Sequence, residues 1–127
     1  MNSLNLSDQS KNETEANVNV DLLQFEEDGG TIIYSPAFDL SGYGNNKEEA
    51  KASFEISIEE FFRYTLNKKT LFIELKRLGW KMKEGKFKKG NLESPHLASL
   101  TTENDYLAEI LNNKQFTKYD QSIAMPV

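Results

Sequence analysis

Residues 34–62 read YSPAFDLSGYGNNKEEAKASFEISIEEFF, and their two halves obey different periods. The first half continues a β-branched and aromatic run that begins at Thr31. It then meets Pro36, whose missing N–H ends a strand or confines it to a sheet edge. The second half repeats apolar residues at Ala50, Phe54, Ile58, Phe61, Phe62 and Leu66. That spacing lays one stripe along an α-helix from about Lys47 to Leu66. The glycines of LSGYGNN (40–46) lie between the halves and admit two roles. Glycines before a helix N-terminus can cradle a phosphate, because free N–H groups and the helix dipole both favour an anion there. They can equally turn a sheet into a helix with no chemistry attached. Glu48 and Glu49 fall in the first turn, where they suit the dipole but repel a phosphate. No G-x-x-x-x-G-K-[ST] or G-x-G-x-x-G pattern is present, so the structural turn is favoured, with Asn45 or Asn46 as helix cap.

Upstream, VNVDLLQFEED (18–28) places Val18, Val20, Leu22 and Gln24 on one side and Leu23 and Phe25 on the other, which predicts a strand. Asp28, Gly29 and Gly30 tolerate the positive φ of a tight hairpin. LSGYG suits a short third strand. Downstream, TLFIELKRLGW reads as a shorter helix with Leu71, Leu75 and Leu78 on one stripe, Thr70 as cap and Gly79 at C′. WKMKEGKFKKG suits a two-stranded ribbon turning at Glu84-Gly85, and residues 91–100, with Pro95, read as loop. TTENDYLAEILNN predicts a helix capped by Thr102, with Tyr106, Leu107, Ile110 and Leu111 as its apolar face. Ile123, Met125 and Val127 alternate along a last strand. The expected class is α+β: a small antiparallel sheet packed on one main helix, led by Phe54, Ile58 and Phe62. The expected organisation is a disordered leader (1–17), an α+β domain (18–68) and a helical and β C-terminal extension (69–127).

With 127 residues, 38% apolar, the chain has room for one domain and its tails. It has no cysteine and one histidine, His96, which excludes disulfides, thiolate zinc sites, Cys nucleophiles and a two-His metal site within one chain. No apolar run approaches the roughly 18 residues that span a bilayer. Residues 1–17 lack the basic start and apolar centre of a secretory signal, so a cytoplasmic protein is expected. The net charge of -5 does not suit a protein that coats nucleic acid. KMKEGKFKKG (81–90) nonetheless concentrates five lysines against one glutamate.

The order EEDGGTIIYSPAFDLSGYGNNKEEAKASF resembles the N-terminal domain of HicB-type antitoxins, over roughly residues 18–66. The matching positions are Gly29, Gly30, Pro36, Leu40, Gly42, Gly44, Glu48, Glu49 and Ala50. The family often has Asp and Thr where this chain has Asn45 and Lys47, differences confined to a turn and a cap. The resemblance implies a partial ferredoxin-like or degenerate RNase H-like fold. It also implies a non-enzymatic protein that masks a small basic RNA-cleaving toxin. Many members carry a separate segment that binds operator DNA, and residues 69–127 show no helix-turn-helix or ribbon-helix-helix order.

Three readings follow. The first is an oligomeric HicB-like antitoxin or regulator that meets its toxin-like partner through Glu26, Glu27, Asp28, Asp39, Glu48 and Glu49, with the Pro36 strand as an edge for pairing. The second is a dimeric nucleic-acid-binding regulator using Lys81, Lys83, Lys86, Lys88 and Lys89. The third is a stand-alone interaction domain or remnant nuclease, with Asp21, Glu26, Asp28 and Asp39 as the acids that two-metal chemistry would need to converge. No cofactor, metal or catalytic residue is expected under the first two readings. Trp80 is expected as a core anchor, and His96 as an exposed loop residue.

Overall fold

A two-residue turn starts the fold. In the computed structural model, which describes residues 15–82 and 92–126, β1 (Glu15–Glu27) and β2 (Gly30–Ser35) are joined at Asp28 and Gly29. These residues have φ of 53° and 80°, the positive values a type I′ hairpin requires. β2 then pairs with β3 (Leu40–Gly44), in register Ile33 opposite Gly42. Helix α1 (Lys47–Asn67) follows, capped by Asn46, whose side chain accepts the Glu49 N–H at 2.9 Å. Glu49 reaches back and accepts the Asn45 N–H at 2.9 Å, a reciprocal arrangement of the capping-box kind.

The chain then turns twice through matching helix ends. After α1, the Lys69 N–H donates to the Leu66 carbonyl and the Thr70 N–H to the Thr65 carbonyl. After α2 (Leu71–Arg77), the Gly79 N–H donates to the Lys76 carbonyl and the Trp80 N–H to the Leu75 carbonyl. Both are Schellman closures with a left-handed residue at C′: Lys69 at φ 57° in the first and Gly79 at φ 100° in the second. Thr70 stands at the N-cap of α2, but its side chain makes no cap bond.

β4 (Lys81–Met82) pairs antiparallel with β5 (Leu92–Glu93), Met82 opposite Leu92, as a two-stranded ribbon. The expected turn itself lies outside the described residues. Residues 91–100 are not simply loop, since β5 is followed by the single helical turn α3 (Leu97–Leu100). Helix α4 (Asp105–Asn113) is capped by Asn104, which accepts the Leu107 N–H at 2.9 Å, and not by Thr102. Thr102 donates instead to the Ser99 carbonyl at 3.2 Å.

The last strand, β6 (Phe116–Pro126), pairs antiparallel with β1 along its whole length, from Glu15 opposite Pro126 to Phe25 opposite Phe116. The sheet order is therefore β3-β2-β1-β6. Three expectations change as a result. β1 begins before the expected leader boundary at residue 17. The C-terminal extension is not separate from the α+β domain of residues 18–68, because its last strand completes the main sheet. β2 is an inner strand: it ends at Ser35, one residue before Pro36, and the edges are β3 and β6.

Alternation along β1 sorts the core into two layers, one on each face of the sheet. Val20 and Leu22 join Ile33, Phe54, Ile58, Phe62, Leu71, Leu75, Trp80, Ile123 and Met125 on the α1 face. Leu23 and Phe25 join Tyr34, Leu107 and Ile110 on the other, under α4. The sheet is thus covered by helices on both faces. The segment after β2 folds under α1, where Phe38 stacks near Phe61, Phe62 and Trp80 with ring centres 5.2–5.8 Å apart. The Trp80 indole N–H donates to the Ala37 carbonyl at 2.8 Å, so Trp80 is a buried anchor.

The glycines of the quoted loop are explained by α1. A Cβ on Gly42 would lie 2.6 Å from the Phe54 Cα, and one on Gly44 would lie 2.5 Å from the Ala50 nitrogen. The helix backbone rests directly on the β3 backbone, and any side chain there would lift it. Gly42→Ala is expected to lower stability by roughly 3 kcal/mol, measured as the urea midpoint, since a packed backbone cannot yield to an added methyl. Ser41→Ala, at the exposed neighbour, is expected to change it by less than about 0.5 kcal/mol. A Gly42→Ala protein as stable as the parent would show that α1 does not sit on β3.

Candidate docking surface

The hairpin tip and the start of α1 meet at one end of the sheet. Register carries Glu26 opposite Thr31 and Thr31 opposite Gly44, and Gly44 lies against Glu49. Glu26, Asp28, Glu48 and Glu49 are all exposed at this end. Two are partly engaged locally. Glu26 accepts the Thr31 hydroxyl at 2.8 Å, and Glu49 serves the cap described above. Glu27 lies at the same end but projects to the α4 face, where it pairs with Lys114 at 2.9 Å. That hydrogen bond raises the Lys114 pKa above its ordinary value.

Asp39 does not join this surface. It sits at the opposite end of the sheet at φ 54°, where it accepts the Tyr34 hydroxyl at 2.6 Å. The same hydroxyl accepts from Asn104 Nδ2 at 2.8 Å. Asp39, Tyr34 and Asn104 thus form a clip that ties the β2–β3 connection to the cap of α4. The Tyr106 ring stands edge-on to Tyr34 at 4.9 Å. Burial, and then the Asp39 carboxylate, push the Tyr34 pKa far above the ordinary tyrosine value. Burial also raises those of Tyr106 and Tyr119.

The four acids considered for two-metal chemistry are dispersed. Asp21 lies in mid-sheet opposite Asp120 and contacts Lys118 at 3.4 Å. Glu26 and Asp28 are at one sheet end and Asp39 is at the other. Among the described residues, no three His, Asp or Glu side chains stand close enough to share a metal ion. The N-terminus of α1 is occupied by its own caps, and Gly42 and Gly44 face helix backbone, which leaves no phosphate cradle there. Of the lysine-rich stretch, Lys81 is exposed on β4, while Lys83, Lys86, Lys88 and Lys89 lie outside the described residues. His96 is exposed at the N-cap of α3.

Two concave features were not legible in the sequence. One is a cavity of about 140 Å³ bounded by Asn19, Asp21, Asp120, Ser94 and His96, assembled from strands and a loop far apart in the chain. The other is a groove of about 270 Å³ between α1 and β6, with Phe54, Ile58, Phe62 and Ile123 as floor and Glu55 and Glu59 on its rim. The sequence signal for the groove is the Glu55 and Glu59 pair at i, i+4, next to core positions of the helical stripe. Its other wall depends on the β1–β6 pairing. No helix among the described residues is long and apolar enough to cross a membrane.

Tyr34→Phe is expected to cost about 1–2 kcal/mol near neutral pH, because Asp39 and Asn104 lose their shared partner. It also carries a pH signature. In the unfolded chain the tyrosine ionises near pH 10, whereas in the folded chain it keeps its proton to higher pH. The stability linked to Tyr34 is therefore present below about pH 10 and declines above it. The fall in urea midpoint between about pH 8 and about pH 11 should be smaller in Tyr34→Phe than in the parent. An equal fall would remove Tyr34 from the alkaline response.

The geometry described so far stands without a relative to interpret it: no family model, curated protein or solved structure matches this chain.

Proposed function

We propose that the chain is a non-enzymatic HicB-like antitoxin or regulator, which acts by docking and masking a small basic protein of the RNA-cleaving toxin kind. One observation carries the reading beyond the resemblance. Acidic side chains from the hairpin tip (Glu26, Asp28) and from the start of α1 (Glu48, Glu49) share one end of the sheet, held by a rigid two-residue turn and a capped helix. Carboxylates on such a frame attract a basic surface before contact and set its orientation, at little cost in reordering. Glu27 belongs to the fold through Lys114, and Asp39 through Tyr34, so neither is assigned to the partner.

The test is co-purification of the native protein from its own cells, with the bound material identified by mass spectrometry. A small basic protein in stoichiometric amount is expected. Its dissociation constant should rise about tenfold in an Asp28→Lys, Glu48→Lys double variant and should rise with salt, as for charges at an interface rim. Recovery of nucleic acid without a basic protein would overturn the reading in favour of a nucleic-acid-binding regulator. An affinity unchanged in the double variant would remove this end of the sheet from the contact.

A further inference from the structure

We infer that the outer edge of β6, with the groove beside it, receives an extended basic segment of the partner protein as a fifth strand of the sheet. This rests on the partner-binding reading and assigns it a second surface.

The two edges of the sheet are treated differently by the fold. The outer edge of β3 is closed by α1: the Tyr43 N–H donates to Ser53 Oγ at 3.1 Å, and Ser57 Oγ donates to the Ser41 carbonyl at 3.0 Å. Covering an edge with a helix is one of the ways a protein prevents stray pairing. Among the described residues, β6 has no such cover. It runs for 11 residues with no strand on its outer side among the described residues. Its backbone N–H and C=O groups on that side are a template for another strand.

The groove states what that strand should carry. Its floor is apolar, its rim has two carboxylates, and no lysine or arginine lines it. Two basic side chains of this flank are engaged, whereas Lys51, exposed one helical turn before Glu55, enters no ion pair among the described residues. Lys47 lies 5.6 Å from the centre of the Tyr119 ring, and Lys118 contacts Asp21 at 3.4 Å. Among the described residues Glu55 and Glu59 enter no ion pair, whereas their neighbour Glu60 is held by Arg63 at 2.8 Å. An added strand would send alternate side chains toward α1. Apolar ones would meet Phe54, Ile58 and Ile123, and lysines or arginines would reach Glu55 and Glu59. A second copy of this chain would bring another Glu55 and Glu59 toward the same cleft, so charge favours a basic partner over self-pairing.

The experiment uses the full chain and a capped peptide of about eight residues, the length of an ordinary strand, in which every second residue is serine and the residues between are valine and lysine in turn, so that one face carries both valine and lysine. The same peptide with glutamate in place of lysine serves as the control. Hydrogen exchange is expected to slow at backbone amides of residues 116–126 with the lysine peptide, and to remain unchanged with the glutamate peptide. A Glu55→Gln, Glu59→Gln double variant should bind the lysine peptide roughly fivefold more weakly, the effect of two exposed charge pairs. Both residues are exposed, so the urea midpoint should stay at the parent value. Absence of binding, equal binding of the two peptides, or protection confined to other segments would overturn the assignment. Concentration-dependent protection of β6 without peptide would also overturn it, in favour of a second copy. A basic protein co-purified alongside a failed peptide test removes the edge assignment and leaves the partner reading standing. Protection of β6 by the lysine peptide with no basic protein recovered from cells does the reverse.

Discussion

The structure depends on one backbone contact. Helix α1 lies on β3 at Gly42 and Gly44, closer than any side chain at either position would permit. This contact sets the height of the helix above the sheet, and that height brings Phe54, Ile58 and Phe62 down onto Ile33 and Leu22. It also places Ser53 and Ser57 beside the β3 backbone, where their hydroxyls close the sheet edge. Because α1 is drawn toward β3, the far side of the same face is left with the groove against β6. One constraint therefore accounts for the closed edge, the main core and the open flank.

Both layers are also held by longer connections. Trp80, delivered by the Schellman turn at Gly79, reaches back to the Ala37 carbonyl and packs on Phe38. Asn104 caps α4 with its Oδ1 and binds the Tyr34 hydroxyl with its Nδ2, so one amide fixes both the start of a helix and its position on the sheet. Buried polar groups joined in this way specify one arrangement, since each would be costly without its partner.

What was legible in the sequence was local. The Asp28-Gly29 turn, the two-sided alternation of β1, the stripe of α1 and the role of Gly79 all follow from residues within a few positions of each other. The antiparallel sheet on a main helix followed from those elements. Thr102 was a sound cap candidate by type, but Asn104 won because it can also reach Tyr34, which lies far away in the chain. Pro36 indicated a strand that ends there or lies at a sheet edge; β2 ends at Ser35, so the first alternative holds and the proline costs the ladder nothing. Of the acidic residues, Asp28 and Glu48 enter no ion pair among the described residues, although Asp28 lies in the field of Lys114. Glu27 and Asp39 found partners at Lys114 and Tyr34, and no spacing rule could have indicated these. The groove and the open edge were hidden for the same reason, since both depend on pairing between β1 and β6.

That pairing orders events during synthesis. β1 leaves the ribosome well before its whole-length neighbour, which follows it across most of the described chain. The hairpin, β3 and α1 can assemble while the rest is still being made, but one side of β1 stays bare until residues 116–126 have cleared the exit tunnel. Contacts of such long separation slow the final step of folding and leave a hydrogen-bonding ribbon exposed meanwhile. A nascent chain stalled before β6 would therefore carry one unfinished need, a strand for the bare side of β1.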